Sequence, residues 1–170
     1  MFDAKRIAWY TFIMFLDLKP FSECSVLIVD DELMSRTLLA SILEPYFGYE
    51  VVQSGKEALD NCTQSQPDLI LLDMNMPDMN GLDLCRMLKA DSALSSIPVI
   101  FVTATMDIES ENACWSVGAS DYVVKPVTAS TLVHRIKNHL QNKLRTELLQ
   151  KMTFKDQLTG LFNRLYLSNE

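Results

Sequence analysis

A doubly wound α/β domain built on a parallel sheet is predicted by three features of the chain. Short apolar runs alternate with helical patterns from residue 25 to about residue 140, which is the signature of repeated βαβ units. The first, third and fourth runs are apolar almost throughout, as strands covered on both faces must be. Polar, chemistry-bearing residues stand directly after four of the runs: Asp30-Asp31, Asp73, Thr103 and Lys125. The C-terminal ends of parallel strands form the edge where open α/β sheets bind ligands.

Taken in order, the strands are read as Ser25 to Val29, Glu50 to Gln53, Asp68 to Leu72, Val99 to Val102 and Tyr122 to Val124. The helices between them are read as Leu33 to Phe47, Lys56 to Gln64, Gly81 to Ala90 and Ile108 to Val117, with a fifth starting near Thr128. Gly48 and Gly118 are positioned to end the first and fourth helices, and Pro67 and Pro98 mark the entries to the third and fourth strands. From Thr128 to about Met152 there is neither Gly nor Pro, and Leu132, Ile136, Leu140, Leu144 and Leu148 recur every four residues. A helix of ~25 residues runs ~37 Å, longer than a small domain. Lys143 and Glu147 interrupt a strict heptad, so a short coiled coil with a stutter and a charged helix that frays alone both stand.

With 170 residues, 48% of them apolar, the chain can bury one full core and carry appendages. A net charge of -7 and the lack of a basic stripe argue against nucleic-acid binding, which leaves a protein as the expected partner. Cys24, Cys62, Cys85 and Cys114 match neither a metal spacing nor a compact disulfide framework, and free thiols suit a reducing compartment. Lys5-Arg6 followed by Ile7 to Leu16 imitates a secretory signal, but no small-residue cleavage site follows. The run of about ten apolar residues is short of the ~20 needed to span a bilayer. It is expected to be an appended packing segment or an upstream leader, with no membrane attachment and a cytoplasmic location.

Five side chains, Asp30, Asp31, Asp73, Thr103 and Lys125, converge if the strands share one sheet. An acidic pair, a lone aspartate, a hydroxyl and a lysine are the parts needed to hold Mg2+ and move a phosphoryl group onto a carboxylate. Each has a plainer reading as well. Acidic residues before a helix serve as caps and favourable dipole partners, Thr103 suits any strand end, and Tyr122 suits a core.

The strings Val26-Leu27-Ile28-Val29-Asp30-Asp31-Glu32, Pro67 to Asp73 with Met76-Pro77 and Gly81, Pro98-Val99-Ile100 with Thr103-Ala104, and Gly118 to Pro126 together resemble the receiver (CheY-like) domain of two-component response regulators. The resemblance covers about Cys24 to Leu140. It implies a flavodoxin-like (βα)5 fold with a five-stranded parallel sheet of order 2-1-3-4-5, extended here by the long last helix. It implies Asp73 as phosphoacceptor, with Asp30, Asp31, Asp73 and the backbone carbonyl of Asn75 holding Mg2+. Lys125 would contact a phosphoryl oxygen, aimed by a cis peptide to Pro126. Thr103, followed by Ala104, would draw the next loop inward, and Tyr122 would rotate into the space vacated. The implied partner is a sensor histidine kinase or phosphotransfer protein.

In related transcription-factor regulators, positions equivalent to Trp115 and Val133 form an apolar dimer patch, and those equivalent to Asp121 and Arg135 a salt-bridge pair. Asn112 departs from the usual apolar residue of that patch, and a buried Trp115 is the competing reading. A homodimer on phosphorylation is the expectation.

Asp73-Met74-Asn75 is also similar to the nucleophile motif of haloacid-dehalogenase-type phosphatases. There a second aspartate two positions on acts as acid or base; here that position is an amide. Lastly, Asp156-Gln157-Leu158-Thr159-Gly160-Leu161-Phe162-Asn163-Arg164 resembles the string that opens GGDEF diguanylate cyclase domains, although no G-G-[DE]-E-F string occurs among the 170 residues. The expected organisation is an N-terminal extension at 1–23, a receiver at 24–140, a helical linker at 141–155 and the start of a GGDEF domain at 156–170. The chain itself is then not an enzyme, while its parent is a diguanylate cyclase. The alternatives are a stand-alone interaction receiver with a vestigial tail and a phosphatase-like enzyme.

Overall fold

The computed structural model of the chain describes residues 19–104 and 107–154, with side chains to residue 150. The apolar run at 7–16, the string at 156–164 and the outer parts of the expected extension and linker lie outside the described residues. Five strands, β1 (Ser25–Val29), β2 (Gly48–Val52), β3 (Leu69–Asp73), β4 (Val99–Thr103) and β5 (Asp121–Val124), alternate with five helices. The helices are α1 (Leu33–Leu43), α2 (Gly55–Ser65), α3 (Gly81–Ala90), α4 (Ile108–Ser116) and α5 (Ala129–Phe154). All neighbouring strands pair in parallel in the order β2-β1-β3-β4-β5, as expected from the receiver resemblance.

The apolar runs become central strands because they can be buried on both faces. Every residue of β3 and of β4 is buried, and side chains alternate between faces with the period of two of a pleated strand. Leu27, Val29, Ile70, Leu72, Val99 and Phe101 enter one cluster with Ala58 and Cys62 of α2, Leu84, Cys85 and Leu88 of α3, and Cys114 of α4. Val26, Ile28, Leu71 and Ile100 lie between them in sequence and are equally buried, as are Leu39, Ile42 and Leu43 of α1 and Leu132, Ile136 and Leu140 of α5. All four cysteines are buried and none forms a disulfide.

Most boundaries fall within one or two residues of expectation, and the largest departure is at the junction of α1 and β2. Helix α1 ends at Leu43 rather than at Phe47, with Glu44 at its cap, and Gly48 opens β2 instead of terminating the helix. The turn from Glu44 to Tyr46 lets Phe47 fold inward, 4% exposed, against the ring of Phe21 at 6.4 Å between centroids. Burial of that ring outweighs continuation of the helical pattern. Gly118 does follow α4 with φ of +85°, a region open to glycine.

The compact unit runs from Phe21 to Leu140, and α5 continues beyond it. Leu144 and Leu148, on the same stripe as buried Leu140, are half-buried. Lys143 and Glu147, which interrupt the heptad, face each other one turn apart at 3.6 Å. Among the described residues no helix is long and apolar enough to cross a membrane.

Candidate functional site at the strand ends

The parallel ladder carries each polar residue to one edge. Asp73 is the last residue of β3 and Thr103 the last of β4; the register pairs Asp73 with Val102, so the two side chains stand one step apart on adjacent strands. Asp30 follows β1, its N–H donating to the carbonyl of Val52 at 3.3 Å, and Lys125 follows β5, its N–H donating to the carbonyl of Thr103 at 2.8 Å. These backbone bonds extend the ladder just far enough to hold both residues over the edge.

Lys125 Nζ lies 3.0 Å from Asp30 Oδ2 and 3.4 Å from Asp73 Oδ1. The peptide between Lys125 and Pro126 is cis. Carboxylate oxygens of Asp30, Asp31 and Asp73 come within 4.8 Å of one another. Asp30 and Asp73 are buried while Asp31 is exposed. Three carboxylates therefore gather at one point and one ammonium pairs with two of them, an excess of negative charge whose hard oxygen donors suit a small divalent cation such as Mg2+. The donor set thus fits the ion.

The charge balance appears in the titration behaviour. Burial pushes the Asp73 carboxyl up, and the nearby Asp30 charge adds to this; the Lys125 ammonium and the Asn75 N–H, which donates to Asp73 Oδ2 at 3.1 Å, oppose it without prevailing. Burial works against the charge on Lys125, but hydrogen bonding to Asp30 and the charges of Asp73 and Asp30 hold its ammonium above the ordinary lysine range. One cation shared between two buried carboxylates is held firmly, while each carboxylate receives only part of its field.

The capping reading of the acidic pair is not realised, since the cap position of α1 is Glu32 and no side chain bonds there as a cap. Asp30 Oδ1 accepts the Glu32 N–H at 2.8 Å at the start of α1. Two neighbours that sequence reasoning did not single out complete this corner. Ser35 Oγ donates to Asp30 Oδ2 at 2.5 Å, and Arg36 Nη1 donates to the Asp30 carbonyl at 2.7 Å. Their signal was available only as proximity, since both lie in the first turns of the helix that follows the acidic pair. Gly81, at the start of α3, packs so tightly beneath Asp73 that an added Cβ would collide with the Asp73 carbonyl oxygen.

Thr103 is buried and Ala104 exposed. Residues 105 and 106, which continue that loop, are outside the described set. Tyr122 is half-buried, and its ring meets that of Trp115 edge-on at 5.7 Å.

The residues assigned to a dimer patch separate. Trp115 is 45% exposed, so the buried reading of it does not hold, whereas Val133 is 8% exposed and is taken up by the chain's own interior. Asp121 and Arg135 do pair, but within one chain: Arg135 Nη1 reaches Asp121 Oδ1 at 2.7 Å and Oδ2 at 2.8 Å. His139 Nε2 joins the same carboxylate at 3.2 Å. Asn112, on α4 with Trp115, is exposed.

Residues 26–137 match the response regulator receiver domain. The chain belongs to the response regulator receiver family. A Vibrio cholerae protein named "Probable cyclic di-GMP phosphodiesterase" is 37% identical over 134 residues, covering 79% of this chain and 30% of that protein. The DNA-binding response regulator MtrA of Mycolicibacterium paratuberculosis is 36% identical over 117 residues, 68% of this chain and 51% of its own length. The chain thus spans 30% of the first of these relatives and 51% of the second. Among solved structures, a CheY-like receiver domain protein from Methanospirillum hungatei JF-1 superposes with a TM-score of 0.68 at 28% identity, covering 74% of this chain and 99% of that one. As a receiver, the chain is a two-component signalling module whose family works with histidine kinases or phosphotransfer proteins.

Proposed function

We propose that this receiver takes a phosphoryl group onto Asp73 from a histidine kinase or phosphotransfer protein, with Mg2+ held by Asp30, Asp31, Asp73 and the backbone carbonyl of Asn75. The observation that carries this reading is the trio of carboxylates gathered within 4.8 Å at the end of β1 and β3, with Lys125 bridging two of them. A bound Mg2+ supplies charge neutralisation between an anionic nucleophile and an anionic phosphoryl group.

The chain's own residues do the rest. An oxygen of Asp73 attacks phosphorus; the bond from phosphorus to the donor imidazole nitrogen breaks, its electron pair stays with the imidazole, and an acyl phosphate forms. Lys125, already 3.4 Å from Asp73 Oδ1, moves onto a phosphoryl oxygen, and the Thr103 hydroxyl takes another. The donor approaches over the rim beside Lys125. There a groove lined by Met34, Leu38, Leu39, Pro126 and Val127 presents Met34, 74% exposed, and Leu38, 49% exposed. An apolar rim next to a charged centre suits docking of a helical partner.

Phosphorylation is then read out on the face of α4, β5 and α5, through Thr103, Ala104 and Tyr122, as a change in self-association of cytoplasmic chains. Trp115 provides the exposed apolar contact there, with Asp121 and Arg135 in its frame. For the parent protein, the resemblance of residues 156–164 to a GGDEF opening supports a diguanylate cyclase output that pairs when two receivers meet.

The deciding experiment is mass and light scattering with a phosphodonor and Mg2+, or with Mg2+ and beryllofluoride. Uptake of one phosphoryl group by the wild type and none by Asp73→Asn is expected, together with a shift from monomer to dimer in the wild type alone. Equal uptake by Asp73→Asn would remove Asp73 from its role. Uptake without a change in mass of the assembly would leave the acceptor and remove dimerisation as the output.

A further inference from the structure

Resting on the reading of Asp30, Asp31 and Asp73 as the cation and phosphoryl site, we propose that Ser35 is a positioning residue. Its hydroxyl holds the Asp30 carboxylate in place when Lys125 turns away to the phosphoryl group.

Asp30 is 1% exposed, so its oxygens depend on protein partners. Oδ1 has the Glu32 N–H at 2.8 Å. Oδ2 has two partners, Ser35 Oγ at 2.5 Å and Lys125 Nζ at 3.0 Å. Lys125 also leans toward Asp73, at 3.4 Å, and phosphorylation gives it stronger acceptors there. Asp30 Oδ2 then loses Lys125, its cationic side-chain partner among the described residues, while it still has to face a divalent ion. A buried carboxylate stripped of a partner reorients unless another donor keeps it.

Ser35 is that donor. A hydroxyl has one proton to give, and the other hydroxyls of α1 give theirs to their own helix: Thr37 to the Leu33 carbonyl at 2.8 Å and Ser41 to the Leu38 carbonyl at 2.7 Å. Ser35 alone of the three spends its proton outside the helix, on Asp30. Its neighbour Arg36 fixes the Asp30 carbonyl at 2.7 Å, so the first turns of α1 grip the aspartate by both backbone and side chain. This grip does not pass through Lys125 and survives its movement. Residues that orient a ligating carboxylate typically change metal affinity by about 10- to 100-fold when removed.

The test measures Mg2+ affinity calorimetrically for the wild type, Ser35→Ala, Ser35→Thr, Lys125→Ala and the Ser35→Ala/Lys125→Ala pair. A readout without the ion comes from hydrogen exchange at the Glu32 amide. Ser35→Ala is expected to weaken Mg2+ binding about tenfold, with Ser35→Thr staying within about twofold because it keeps the hydroxyl. The loss from Ser35→Ala should grow in the Lys125→Ala background, where Ser35 is the remaining partner of Oδ2, a coupling that a double-mutant cycle isolates. Without Mg2+, the Glu32 amide of Ser35→Ala should exchange about tenfold faster as Asp30 loosens. Unchanged Mg2+ affinity in Ser35→Ala, or equal losses in the Ala and Thr variants, would overturn the role of Ser35 and leave the cation site standing. No Mg2+ binding by the wild type would overturn the cation site itself and the role of Ser35 with it.

Discussion

At the strand ends Asp30 and Thr103 are each 1% exposed and Asp73 8%, whereas on the face built from α4, β5 and α5 Trp115 is 45% exposed and Arg135 has 42% of its side chain in solvent. The first region is assembled by backbone: each polar side chain is the last residue of a strand or the first beyond one, and the ladder leaves it nowhere else to go. The second is assembled by side chains, with Arg135 and His139 of one helix converging on Asp121 of the edge strand. A site positioned by main chain has little slack, and a face positioned by surface pairs can rearrange at small cost. That suits a chemical centre on one side and a switchable contact on the other.

The sharpest way to break this contrast is at Gly81. A methyl group there meets the Asp73 carbonyl oxygen and crowds the Met74 Cα, at 3.0 Å, and neither can move without disturbing β3. Gly81→Ala is expected to cost about 3 kcal/mol, the upper end of overpacking effects, and urea denaturation measures it. A cost below about 0.5 kcal/mol, ordinary for a surface change, would mean that the strand-end edge yields as readily as the outer face.

The next effect has the opposite sign. Burial and the Asp30 charge raise the Asp73 carboxyl, so its ionised form costs stability at neutral pH, a cost relieved as pH falls toward its folded value and the group takes a proton. Asp73→Asn removes that charge at every pH. In the absence of divalent cations the variant is expected to be more stable at neutral pH by about 1 to 2 kcal/mol. The difference should shrink on acidification, and added Mg2+ should raise the melting temperature of the wild type more than that of the variant. A less stable Asp73→Asn would show that the bond to Lys125 outweighs the crowding.

How much of this was legible in the chain follows the same division. Asp30, Asp73, Thr103 and Lys125 were readable because an apolar run of fixed length ends in a polar residue, and a parallel sheet aligns such ends. The end of α1 was not readable: the helical pattern runs on to Phe47, and only the tertiary pocket beside Phe21 draws that ring out of the helix. Ser35 escaped notice because a serine in a first helical turn has many local bonding options, and the choice among them depends on where Asp30 ends up. Val133 and Trp115 both suited an apolar patch by position, yet which of the two turns inward depends on how their separate helices, α5 and α4, are each rolled against the sheet. His139 gave no signal in one dimension, being 18 residues from Asp121.

A smaller effect probes the outer face directly. Burial opposes ionisation of Asp121, but hydrogen bonds from Arg135, the Tyr122 N–H and His139 outweigh it and hold the carboxyl below the ordinary range. Because the folded value is depressed, the associated stability is present above the ordinary aspartate value of about 3.9 and is lost as pH falls from there through the folded value. Arg135 is well exposed, so screening limits the contribution to about 1 kcal/mol. Asp121→Asn should lower stability by about that amount at neutral pH and flatten the acid limb of the stability curve below about pH 4. An unchanged acid limb would assign the acid sensitivity to other carboxylates.

The smallest expected change is at Trp115, and there it discriminates most between the two regions. Its ring touches Tyr122 edge-on and its indole N–H reaches Glu111 Oε1 at 3.4 Å, a long bond that contributes little. With nearly half the residue in solvent, Trp115→Ala should cost the isolated chain about 1 kcal/mol or less. If the face is a contact between activated chains, the same substitution should weaken dimerisation of the beryllofluoride-bound protein by about tenfold or more, the behaviour of an aromatic anchor. A dimer constant that does not move would remove Trp115 from the interface. A large loss of stability in the monomer would show instead that Trp115 is clamped as firmly as the strand-end carboxylates, and the contrast between a fixed centre and a yielding face would fail on its second half.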